Sequence, residues 1–65
     1  MTFDVDGFSV QLQYDSLKDK WSVVGGFYAN HMTWITVAGH GASIEEATKN
    51  YVRLRKQRIT AEVER

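Results

Sequence analysis

Two histidines, His31 and His40, and two N-terminal aspartates, Asp4 and Asp6, are the side chains in this sequence best suited to moving a proton or holding a metal. Imidazole titrates nearest neutral pH and is a common metal ligand, and carboxylates complete many such sites. Neither group is completed by its neighbours. The D-x-D pair lacks the further oxygen ligands of a cation loop. There is no cysteine to supply a thiolate, and two histidines alone make a poor metal set. No nucleophile stands at a suggestive spacing from a base, because Ser43 is already accounted for as a helix cap. The expectation is a non-enzymatic protein with no metal and no cofactor.

The remaining chemistry is electrostatic. Lys49, Arg53, Arg55, Lys56 and Arg58 crowd ten residues that contain no acid, in a chain whose eight basic and eight acidic residues cancel. One reading is local: cations in the last turn of a helix offset its dipole by about 0.3–1 kcal/mol each, and Glu45 to Lys49 is a favourable i, i+4 pair. The sharper reading is a binding ridge. Lys49, Arg53 and Lys56 recur at i, i+4 and i+7 and share one side of the helix, where they could meet an acidic protein patch or phosphates. Overall neutrality favours protein over nucleic acid, since dedicated nucleic-acid binders carry a net positive charge. A second anion-binding candidate is the Gly39-His40-Gly41 corner, read as lying between a strand and a helix N-terminus, where free amides can hold an anion.

These residues must be positioned by a few short elements. Phe8, Val10, Leu12 and Tyr14 alternate with Ser9, Gln11 and Gln13, which predicts a half-buried strand over FSVQLQYD. WSVVGGFYA and TWITVAG form two more strands. Gly25-Gly26 is expected to bend or bulge the second, and Asn30-His31 to turn the chain between them. Ser43 and Glu46 make a capping box, and Ile44, Ala47, Tyr51 and Leu54, widened by Val52 and Ile59, make an apolar stripe. The helix is expected over 44–58, fraying through 59–65. The predicted fold is α+β: a single domain over 1–65, a three-stranded antiparallel meander followed by one C-terminal helix packed on one sheet face (β-β-β-α). The helix should cover the face bearing Phe8, Val10, Leu12 and Tyr14 and leave the other bare. If Trp34 lies on the bare face, it becomes an interface anchor.

Sixty-five residues bury only about 60% of their unfolded surface and are marginal alone. With no disulfide to staple the fold, self-association, most simply as a homodimer, or a protein partner is the expected extra source of stability. A hydrophobic content of 43% argues for a folded domain over a disordered tail. The N-terminal MTFDVDGFSVQLQ has neither the basic start nor the apolar run of a signal peptide. No apolar stretch reaches bilayer length, so a cytoplasmic protein without membrane contact is expected.

The run VAGHGASIEEATKNYVRL resembles the end of HicB-type antitoxin domains, in which a strand passes through a glycine and a small residue into a helix opening with "EEA". The matching residues are Gly41, Ser43, Glu45, Glu46, Ala47 and Asn50, and the strand order fits the same family. The resemblance implies a small antitoxin-like, or phage or bacterial host-modulating, inhibitor that occludes a partner protein. The same strand–helix order also looks like a truncated double-stranded RNA-binding domain, which implies RNA contact through the helix. From the residues themselves, the expected partner-binding set is Trp34, Lys49, Arg53 and Lys56.

Overall fold

Asp6 and Gly7 fold the N-terminus back on itself. Both have positive φ, 52° and 84°, the backbone of a two-residue hairpin turn that Asp-Gly favours. Val5 and Phe8 pair directly across it. The computed structural model describes residues 1–63, and its sheet has four strands: β1 (Thr2–Val5), β2 (Phe8–Asp15), β3 (Lys20–Asn30) and β4 (Thr33–Gly41). The expectation of three strands is corrected by β1, whose Phe3 and Val5 point inward while Thr2 and Asp4 stay exposed. The strands follow one another as an antiparallel meander, β1-β2-β3-β4. Among the described residues a single helix, α1 (Ile44–Val63), follows the sheet. The α+β architecture stands, with one more strand and a helix that continues past Arg58. Nothing resembling a glycine or proline stop follows Arg58, so the intrachain ladder carries on. The expected fraying at 64–65 lies outside the described residues.

The two other turns are set by side chains. Asp15 Oδ1 accepts from the amides of Leu17 and Lys18 at 3.0 and 3.3 Å, an Asx turn that starts the β2–β3 loop. Asn30 Oδ1 accepts from Met32 N at 2.9 Å, so the two-residue His31–Met32 turn is organised by an amide side chain, without positive φ at Asn30. The register shift in β3 lies between Tyr28 and Asn30. The bulge is therefore beside the turn, whereas Gly25 and Gly26 continue in regular pairing with Val37 and Thr36.

Opposed residues of antiparallel strands share a face. The register puts Val10 beside Phe3, Leu12 beside Val23, Val23 beside Gly39, and Gly25 beside Val37. That face meets the helix. Val5, Val10, Val23, Val37, Ala47 and Tyr51 form the buried core, with Phe3, Leu12, Trp21, Phe27, Ile35, Val52 and Leu54 packed around it. The strand residues Phe8, Val10, Leu12 and Tyr14 do lie on the helix side, although Tyr14 and Phe8 remain partly exposed at its margins.

The helix starts where its cap dictates: Glu46 N donates to Ser43 Oγ at 3.1 Å. Its first turns press unusually close to β4. A Cβ built on Gly39 would lie 2.2 Å from Tyr51 N and 2.6 Å from Ala47 O. Only hydrogen fits there, and the absent side chain lets the backbones of helix and strand touch.

Candidate functional site

The uncovered face of the sheet carries Ser9, Gln11 and Gln13 from β2, Ser22, Val24 and Tyr28 from β3, and Trp34, Thr36, Ala38 and His40 from β4. It is largely small and polar, with one aromatic corner. Tyr28 and Trp34 oppose each other across the β3–β4 ladder, ring centroids 4.9 Å apart at 72°. This edge-to-face pair favours the ring quadrupoles. Both are exposed, 67% and 53%. The indole lies across Gly26, whose missing side chain makes room for it: a Cβ there would come within 2.7 Å of Trp34 Cζ2. At the other end of the face, Ser22 Oγ and His40 Nδ1 stand 2.8 Å apart.

Beside the aromatic corner the sheet forks. The β2–β3 pairing ends at Gln11 and Val24. Beyond it, β2 runs on to Phe8 paired with β1, and β3 runs on to Asn30 paired with β4. The wedge between these two arms is a cleft of about 590 Å³, lined by Phe8, Ser9, Gly26, Phe27, Tyr28 and Trp34 with Ile59 and Glu62 of the helix closing it below. Its walls are mostly apolar, so it adds concave surface to the exposed aromatic pair.

The cations of α1 have a different fate from one another. Arg55 is 4% exposed. Its guanidinium lies 4.5 Å from the Phe8 ring centroid and 5.3 Å from that of Tyr51, donates to Val5 O at 3.4 Å and pairs with Asp6 Oδ2 at 3.2 Å. It ties the β1–β2 turn to the helix. Lys49 pairs with Glu45 at 3.3 Å, and Arg58 approaches Glu62 at 4.0 Å. Arg53 donates to Asn50 Oδ1 at 3.3 Å.

Lys49, Arg53 and Lys56 are brought together, as their spacing suggested: they line one shallow depression with Thr48, Val52 and Asp6. Trp34 is not with them. It points from the opposite side of the sheet, so the expected partner-binding set falls on two surfaces. Gly39, His40 and Gly41 are placed differently from the expectation. They are the last residues of β4, not a corner, and pair with Val23, Ser22 and Trp21. Gly39 and Gly41 lie against the helix backbone, and the His40 carbonyl accepts from Asn50 Nδ2 at 2.6 Å. The corner expected between strand and helix is therefore the end of a β-ladder in tight contact with the helix.

The sequence suggests core or sheet packing for Tyr28, which is instead 67% exposed, and it gives no sign of the fork. Tyr28 shares the period-2 phase of Ser22 and Val24, which would have put it on the bare face beside Trp34. No helix among the described residues is long and apolar enough to cross a membrane. No family model, curated protein or solved structure matches the chain.

Proposed function

We propose that this protein is a small non-enzymatic binding module that acts by occluding a partner protein, in the manner of an antitoxin-like or host-modulating inhibitor. The observation that carries the reading is the exposed Tyr28–Trp34 pair beside an apolar cleft on a sheet face that no other element covers among the described residues. Exposed aromatics next to concave apolar surface are the usual anchors of protein interfaces. The lack of charge at the centre of the face fits an interface core, where charged residues are depleted. The cations of the Lys49–Arg53–Lys56 ridge act as a separate, electrostatic surface that steers encounter with an acidic partner.

Nucleic-acid binding is the rival reading, and it draws on the same ridge. A single-strand binder combines phosphate-tracking cations with stacking aromatics in one groove. Here the cations and the aromatic pair lie on opposite sides of the sheet, and Arg55, Lys49 and Arg58 already face Asp6, Glu45 and Glu62. That arrangement favours the protein reading.

The test is affinity capture from a bacterial lysate with three baits: wild type, Trp34→Ala, and the triple variant Lys49→Ala/Arg53→Ala/Lys56→Ala. The expected result is a stoichiometric protein held by wild type, held more weakly by the triple variant at raised salt, and lost with Trp34→Ala. A wild-type bait that holds only nucleic acid, or holds nothing, overturns the proposal.

A further inference from the structure

The two edges of the sheet are unlike. β1 is four residues long and carries Asp4, a charge of the kind that discourages edge pairing. β4 is nine residues long, TWITVAGHG, with no acidic or basic group apart from His40 and no proline. Over 33–39 neither charge nor proline protects this edge.

The register says which of its backbone groups are unpaired. Leu12 N donates to Met1 O, so the even residues of β2 bond towards β1 and the odd ones towards β3. Carrying this alternation across the sheet, Ile35, Val37, Gly39 and Gly41 bond to β3, while Trp34, Thr36, Ala38 and His40 turn their N–H and C=O outward. Asn50 occupies the His40 carbonyl. The free ladder is therefore Trp34, Thr36 and Ala38, and it is centred on Thr36.

The geometry points to a second copy of this chain as the occupant of that edge, paired antiparallel about a two-fold axis through Thr36. In this register Thr36 faces Thr36 of the partner copy, and Trp34 faces Ala38, so the largest side chain of the edge meets the smallest on the bare face. On the helix side Ile35 faces Val37, joining the two cores. Each of the three free residues bonds its counterpart, and neither His40 carbonyl is called upon. The two four-stranded sheets become one of eight strands, with both helices on one side and a doubled bare face on the other. Because the contact uses the same surface twice, it closes as a dimer and does not grow into a filament. The dimer concerns the backbone edge of β4, whereas the proposed partner binding concerns the face; the two share Trp34, and the variants used below leave Trp34 unchanged.

Sedimentation equilibrium on the full chain tests the association, and engineered cysteines test the register. Wild type is expected to be a dimer within the accessible concentration range. Thr36→Lys, which opposes two like charges on the axis, is expected to weaken the dimer by about tenfold or more while circular dichroism stays unchanged. The chain has no native cysteine, so single cysteines report cleanly. Cys in Thr36→Cys would lie about 5.5 Å (Cα–Cα) from its copy, within disulfide range. In Ala38→Cys the two thiols would be displaced by four strand positions, about 13 Å. Mild oxidation should therefore cross-link T36C and leave A38C monomeric on a denaturing gel. A wild-type monomer at roughly 0.5 mM, a filament, a folded Thr36→Lys variant that dimerises undiminished, or A38C cross-linking as readily as T36C each overturns the inference. If Thr36→Lys does not fold, the two cysteine variants decide it alone.

Discussion

Arg55 shows how little a cation's position in sequence says about its role. Placed eight residues after Ala47 and four after Tyr51, it belongs to the buried stripe of the helix, and its guanidinium is held between two rings, one carbonyl and one carboxylate. Arg55→Ala is expected to destabilise the fold by about 2–3 kcal/mol in urea unfolding, through lost packing against Phe8 and Tyr51 and the lost tie to the β1–β2 turn. Arg55→Met should recover part of that, because Asp6 is 61% exposed and returns readily to water. Tyr51 presents the reverse case. Its ring is fully buried and its hydroxyl has no hydrogen-bond partner among the described residues, lying instead beside Gly25. An unsatisfied buried hydroxyl costs on the order of 1–3 kcal/mol. Tyr51→Phe is therefore expected to leave stability unchanged or raise it by up to about 1 kcal/mol, read as a higher urea midpoint at constant slope. Tyr14 is an exposed titrating group with a partner: its hydroxyl donates to Asp19. That hydrogen bond, a little burial and the charges of Asp19 and Asp15 raise its pKa. The folded state thus holds this proton more tightly than the unfolded chain does. Its contribution is complete below the ordinary tyrosine value of about 10 and is lost as pH rises through the raised folded value. Tyr14→Phe should flatten that alkaline loss in a pH series of unfolding curves.

At the scale of elements, strand β4 and helix α1 behave as one unit because nothing but hydrogen separates them at Gly39. Gly39→Ala would drive a methyl group into the Tyr51 amide and the Ala47 carbonyl. Backbone cannot step aside as a side chain can, so a loss of about 3 kcal/mol or more is expected, read as a lowered melting temperature. The β4 ladder also predicts an alternating exchange pattern. In a dilute, monomeric sample the amides of Val37 and Gly39 should be protected and those of Thr36 and Ala38 should exchange quickly, as seen by hydrogen-exchange NMR. A uniform rate along the strand would contradict the register. The elements themselves were largely readable. Period-2 alternation located β2, β3 and β4, and Ser43 with Glu46 located the start of α1. Two boundaries were not. The Asp-Gly turn is a hairpin signal, but Asp6 also belongs to a D-x-D pair of the kind that ligates cations, and a strand as short as β1 shows only two inward residues, Phe3 and Val5. The end of α1 lacks a local stop, so helix continues beyond the last position at which a sequence pattern marks an end.

At the scale of the whole molecule, the buried core has been gathered onto one side of the sheet while the Tyr28–Trp34 pair stays on the other, and Asp6 near the start of the sequence has been folded onto Arg55 of the helix. The segregated charge visible along the chain is thereby partly cancelled in space, which is why a steep salt dependence of RNA binding is not expected. Fluorescence titration of a labelled single-stranded RNA at low salt should show no tight complex, and a strong one that collapses with salt would favour the rival reading. The sequence by itself determined the local choices: which segments extend, where the helix begins, which face of each strand is apolar. Those depend on periodicity and on caps within a few residues. Only the tertiary structure decided that β2 and β3 part company at Gln11 and Val24, that Trp34 and the Lys49–Arg53–Lys56 ridge face opposite ways, and that Gly39 and Gly41 belong to a packed strand. Those outcomes depend on how one curled hairpin, clipped by a buried guanidinium, sits against a helix that comes from the far end of the chain. Such a contact has no period and no fixed spacing, and it exists only once both partners are folded.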